Sequence, residues 1–147
     1  MVTTAITTST RPAAPASTST PTSGRPALWR TGAVAGIVAA AATTLIVVAA
    51  RAADVPVAVQ SERIPLAGFA QLTLVGAVIG VVLAKSFARW ARRPQLTFVR
   101  TTVALTALSL VPDAIVDASI GSKLVLMLTH MVAATIVIPA LAARVDR

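Results

Sequence analysis

The chain contains no cysteine, one histidine, five acidic residues and five aromatic side chains in 147 residues. Each scarcity removes a class of chemistry. Without cysteine there are no disulfides, thiolate metal sites or thiol redox steps. A single histidine excludes a multi-histidine metal cluster. Few aromatics and few acids leave little for a base-stacking platform or an acidic metal cage. What the chain has instead is apolar surface: 56% of residues are hydrophobic, and the mean hydropathy is +0.82. The excess falls in long runs, which places the protein among membrane proteins.

Residues 1–27, "MVTTAITTSTRPAAPASTSTPTSGRPA", are Thr, Ser, Pro and Ala with no acid. Such a segment buries too little to offset its ordering entropy and is expected to be a disordered tail. Its acid-poor, Ser-rich composition also suits a transit peptide. Residues 28–147 form the second unit, a membrane domain. Three uncharged or nearly uncharged runs occupy 31–50, 64–84 and 124–143, each near the ~20 residues that cross the hydrocarbon layer. Pro65 suits the start of the second helix. The third span has to be assembled. Residues 101–111 are too short, so it is expected over about 96–116, with Arg100 snorkelling to one interface. Segment one has small residues after it that resemble a signal cleavage site. Its polar lead is too long and its apolar run exceeds 7–15 residues, so a retained helix is expected. The fold class is therefore all-α: a four-helix transmembrane bundle with a disordered N-terminal tail.

Four spans put ten basic residues on one side: Arg11, Arg25, Arg30, Lys85, Arg89, Arg92, Arg93, Arg100, Arg144 and Arg147. The other side has Arg51, Arg63 and Lys123. The positive-inside rule then puts both termini in the cytoplasm. Trp29 and Trp90 fall at that same interface, where amphipathic rings settle. The formal charge of +8 is thereby explained by a juxtamembrane stretch, "KSFARWARRP". There Lys85, Arg89, Arg92 and Arg93 face anionic lipid head groups of the bilayer. Nucleic acid is not an expected partner, because a folded basic surface and stacking aromatics are missing.

Small residues recur once per turn at Gly32, Gly36, Ala40 and Thr44, and again at Gly76 and Gly80. That spacing lets backbones approach closely. It serves packing of helices one and two within a chain or a homo-oligomer, and the sequence leaves both open.

The polar residues of the third span are more informative. Thr102, Thr106, Ser109, Asp113 and Asp117 are spaced 4, 3, 4 and 4, which puts them on one helical face. Lipid offers them no partners, so this face should point into the bundle. Counting from flanking charges at 1.5 Å per residue, Gln71 lies roughly 12 Å below Arg63. His130 and Thr44 lie roughly 10 Å below Lys123 and Arg51, and Asp113 roughly 6 Å below Asp117. All four helices thus offer a polar group to one half of the bundle: Thr43/Thr44, Gln71, Asp113 and Thr129/His130. Pro112 cannot donate to the Leu108 carbonyl and should kink the helix beside Asp113. The expected candidate site is Asp113 facing His130, with Asp117, Gln71 and Thr44 nearby. The plainer alternative is that the hydroxyls bond back to their own helices, Asp113 and Asp117 are a wet helix end, and His130 is a structural donor.

The blocks "FVRTTVALTALSLVPD" and "LTHMVAATIVIPALA", with the earlier "RPALWRTGAVAG" and "ERIPLAGFAQLT", resemble a family of small four-span membrane proteins of unknown function from actinobacteria. The resemblance covers residues 25–144. It implies four spans and a bacterial plasma membrane, and no substrate or catalytic residue. One departure is in "VDASIGSKLVLMLTH", where a further acid is expected near Ser119 or Ser122.

Asp113-xxx-Asp117 resembles the end of the metal motif of phosphatidyl-alcohol transferases, but the upstream elements are absent. A G-x-S-x-G elbow, an H-E-x-x-H zinc site and a Gly-rich phosphate loop are absent too. No enzyme, metal or cofactor is therefore expected. Two readings remain: a scaffold, sensor or complex subunit with a polar intramembrane site, and a proton- or cation-coupled small-solute transporter acting as an oligomer.

The charge asymmetry predicts a labelling pattern. With single cysteines at Ser61 and Ser86, a membrane-impermeant thiol reagent added outside intact cells should label Ser61→Cys and spare Ser86→Cys. The reverse pattern contradicts the orientation.

Overall fold

The computed structural model describes residues 24–59 and 62–145, with the backbone alone for 24–27. Four helices dominate: α1 Gly24–Ala52, α2 Leu66–Trp90, α3 Pro94–Ile115 and α4 Ile120–Val145. All four are long and apolar enough to cross a membrane. The expected disordered tail lies outside the described residues as far as residue 23. From Gly24 the backbone is already helical, so α1 starts seven residues before the expected 31 and takes the last four residues of that tail. The basic stretch after the second span is also more helical than expected. Lys85 and Arg89 ride on the last turns of α2, and only Ala91, Arg92 and Arg93 separate it from α3.

α1 packs chiefly on α2 and α4, and α3 packs on α4 and less closely on α2. The small residues explain the first contact. A Cβ added at Gly36 would stand 2.9 Å from the Ala77 Cβ, and one added at Gly32 only 2.0 Å from a Val81 methyl. Backbones approach there because nothing projects between them. Gly80 faces α4 instead, where an added Cβ would stand 3.2 Å from Leu141. Gly76 departs from the packing expected of it: an added Cβ there meets nothing within 4 Å.

Two apolar clusters close the ends of the bundle. At the termini, Leu28, Val81, Ala84, Phe98, Leu141, Ala142 and Val145 pack together. At the same end the Lys85 ammonium lies 5.1 Å from the Trp29 ring centroid, a cation–π contact between α1 and α2. At the opposite end Val47 and Phe69 pack with Val57, which belongs to the connection between α1 and α2. It holds a two-stranded antiparallel ribbon, β1 Ala58–Val59 and β2 Glu62–Arg63, with Ala58 opposite Arg63.

This connection is tied down at both sides. α1 ends with Asp54 in the left-handed region at φ 56, while the Val55 N–H returns to the Ala50 carbonyl at 3.0 Å. That is a Schellman-type termination. The Arg51 guanidinium donates to the Ile64 carbonyl. On α4, Ser119 is the N-cap, accepting the Ser122 N–H at 3.1 Å. The Ser122 hydroxyl donates to the Pro56 carbonyl. The serines that stand where an acid was expected thus hold the ribbon against α4. A carboxylate at 122 could not donate to Pro56.

The glycine geometry predicts opposite outcomes at two positions. Gly32→Ala forces a methyl against the stiff, β-branched Val81, and such overpacking costs about 1–3 kcal/mol. Gly76→Ala meets no atom and gains helix propensity of up to about 1 kcal/mol. Thermal unfolding in detergent should show a clear loss for the first and none for the second. Equal effects contradict the packing.

Candidate functional site

Between the two end clusters, α2, α3 and α4 do not close on one another. They leave a cleft of about 460 Å3, within the range of pockets that hold small ligands. Phe69 and Phe98, one from each cluster, stand at its two ends. Leu72 and Ile79 of α2 and Leu105 of α3 line it and are exposed on the outer surface. The opening is therefore sideways, between α2 and α3, toward the surrounding hydrocarbon. Gly76 forms part of the wall, and the empty space beside its Cα is the cleft itself.

One wall is polar. Thr102, Thr106 and Ser109 of α3 line it, with Thr73 of α2 and Thr129 and His130 of α4. Each hydroxyl among them stands within hydrogen-bond distance of a carbonyl of its own helix. Thr73 donates to Phe69, Thr102 to Phe98, Thr106 to Thr102, Ser109 to Thr106 and Thr129 to Leu126, at 2.7–2.9 Å. The hydrocarbon layer enforces this, because a hydroxyl without a partner there is costly.

Asp113 cannot solve the problem in the same way, since a carboxylate has nothing to donate. It lies near the end of α3, and its Oδ2 stands 2.9 Å from His130 Nδ1 on α4. The Asp113 side chain is 14% exposed and the imidazole 42%, so the carboxylate is the more enclosed partner. The same Nδ1 is 3.1 Å from the Leu126 carbonyl. A carbonyl accepts and never donates, so a contact of this kind needs a proton on Nδ1. That one N–H faces two acceptors. Oδ2 is buried and makes no hydrogen bond of good geometry; it holds an oblique contact with the polarised N–H edge. Below it the Lys123 ammonium donates to the Ala114 carbonyl at 2.9 Å and caps the last turn of α3.

The other expected site residues do not join this pair. α3 ends at Ile115, so Asp117 lies in the exposed α3–α4 connection and not on the helical face with Asp113. Gln71 is exposed. The phase of α2 is set by Phe69, Ala77, Gly80 and Ala84, which are buried, and this puts Thr73 inside and Gln71 on the outer face. Thr44 bonds only to Ala40 of its own helix, at 2.7 Å. Its neighbour Thr43 is the buried one and meets Thr73 across the α1–α2 contact at 3.2 Å. Thr73 was missed; its four-residue spacing from Phe69 and Ala77 was the available signal. Pro112 sits inside α3 three residues from its end, with the Val116 N–H returning to its carbonyl. Among the described residues no group of three potential metal-ligating side chains occurs.

A contact between Asp113 and His130 predicts energetic coupling. Unfolding in detergent of Asp113→Asn, His130→Gln and the double variant should be non-additive by about 0.6 kcal/mol, the average for polar pairs in membranes, and by no more than about 1.7. Strict additivity contradicts the contact.

No curated protein and no solved structure matches the chain. A family model does match, over residues 23–147, the full extent of the four helices. Its description states neither a source organism nor a topology; the four spans rest on the helices themselves. The chain belongs to the family of unknown function DUF6069.

Proposed function

We propose that this protein is a ligand-binding subunit or sensor embedded in the bacterial plasma membrane. Both termini are cytoplasmic, and its site is the lateral cleft between α2 and α3. The observation that supports this reading most is the cleft wall: an enclosed row of polar atoms beside an opening that only a molecule dissolved in the bilayer can enter. A purely structural bundle gains nothing from the unfilled volume, because the missing contacts forfeit dispersion energy. At the cytoplasmic face Lys85, Arg89, Arg92 and Arg93 hold anionic head groups, which orient the bundle without occupying the cleft. No catalytic role is assigned.

A second reading, a proton- or cation-coupled carrier acting as an oligomer, draws support from the length of the polar row. From Thr102 to Asp113 it runs eleven residues, or about 16 Å of helix, much of the hydrocarbon thickness. A carrier predicts proton flux into proteoliposomes under an imposed potential, lost in Asp113→Asn. A binding subunit predicts none.

The binding reading is tested with a photoactivatable hydrocarbon that has no head group. In proteoliposomes, labelled sites should concentrate around Gly76 and Leu105 and disappear in Gly76→Leu, which fills the opening. Labelling spread evenly over all lipid-facing surfaces, and unchanged by Gly76→Leu, contradicts it.

A further inference from the structure

The polar atoms of the cleft have a common sign, and this deepens the binding reading on which it rests. Thr102, Thr106, Ser109 and Thr129 direct their protons at their own helix carbonyls, so what they turn outward is lone pairs. His130 behaves alike. With Nδ1 as the donor toward the Leu126 carbonyl and Asp113, an imidazole carrying that one proton has its lone pair on Nε2, and His130 lines the cleft. Asp113 is not among the lining residues; its Oδ2 stands beside Nδ1, on the side away from the cleft wall. With those protons so engaged, the wall offers acceptors to a ligand.

We propose that the cleft binds a long-chain or prenyl alcohol: an amphiphile whose apolar chain lies in the opening and whose neutral hydroxyl donates to the wall near Ser109 and His130. The chemistry selects this class against its neighbours. A ketone, ester or ether head would set lone pair against lone pair. A carboxylate or phosphate head would add charge repulsion and a desolvation cost with no donor to offset it. An ammonium can donate, but no cleft-lining group carries a compensating negative charge, and an unpaired cation at this depth is costly. A hydroxyl matches the wall in both sign and charge, and its approach through the lipid-side opening does not require leaving the bilayer.

The test uses the full chain in detergent and three probes of equal chain length: 1-tetradecanol, its methyl ether and 2-tetradecanone. Thermal stability is followed against probe concentration, which reports ligand binding to the folded state. The alcohol should give a saturable rise in Tm, at concentrations roughly tenfold below those of the ether and ketone, as expected for one hydrogen bond of about 1.4 kcal/mol. Thr106→Val, nearly isosteric, and Ser109→Ala should each reduce the preference for the alcohol and leave the ether unchanged. Thr44→Val, outside the cleft, should change neither. Gly76→Leu should abolish the response to all three probes. If the ether or ketone matches the alcohol while Gly76→Leu still blocks them, the cleft stands and the donor rule falls. If Gly76→Leu has no effect on any probe, the cleft itself is not the site and both readings fall.

Discussion

The hydrocarbon layer supplies no hydrogen-bonding partner, and the arrangement of this bundle follows from that constraint. Each helix satisfies its own backbone, and the hydroxyls of Thr43, Thr102, Thr106, Ser109 and Thr129 fold their protons back onto carbonyls three or four residues earlier. Asp113 is the exception, because an acceptor cannot bond to an acceptor. It has to find a donor on another helix, and His130 is the one imidazole in the chain. The contact between them joins α3, the least buried of the four helices, to α4 near one end. Phe98 does the same at the other end by apolar packing. α3 is thus held at both ends and stands off in the middle.

The middle is where the cleft lies, and the small residues determine its position. Gly32 and Gly36 draw α1 onto α2, and Gly80 draws α2 onto α4. These approaches consume the faces of α2 that carry Ala77 and Val81. Gly76, one turn before Gly80, is left with no neighbour. The wall opposite is the hydroxyl row of α3. Packing and polarity therefore meet at one place: the same helix phase that turns Thr73 inward and exposes Gln71 also opens the space beside Gly76. The ribbon between α1 and α2, held by Arg51 and Ser122, closes the end of the bundle above the cleft.

Much of this arrangement is legible in the sequence. Span number and approximate limits follow from hydropathy, and the face carrying Thr102, Thr106, Ser109 and Asp113 follows from helical spacing. Equal depth below flanking charges pointed to Asp113 and His130. The failures have a common cause. Depth along a helix can be counted from a sequence, but rotation about the helix axis is set by packing. Gln71 and Thr44 have suitable depth and the wrong rotation, and Thr43 and Thr73 hold the right one. Asp117 failed differently: Pro112 lies so close to the end of α3 that the periodic pattern ran past the helix that carried it. Ser119 and Ser122 read as missing acids because their partner, a ribbon more than sixty residues earlier in the chain, leaves no local periodic signal.

The account depends on which nitrogen of His130 carries the proton, and a chain with one histidine allows that to be read without overlap. Solid-state 15N NMR of histidine-labelled protein in lipid bilayers at neutral pH should show a single imidazole with a protonated Nδ1 and an unprotonated Nε2. Its Nδ1 resonance should move in Asp113→Asn. An unprotonated Nδ1, or a spectrum indifferent to Asp113, would contradict the pairing and with it the acceptor-only wall.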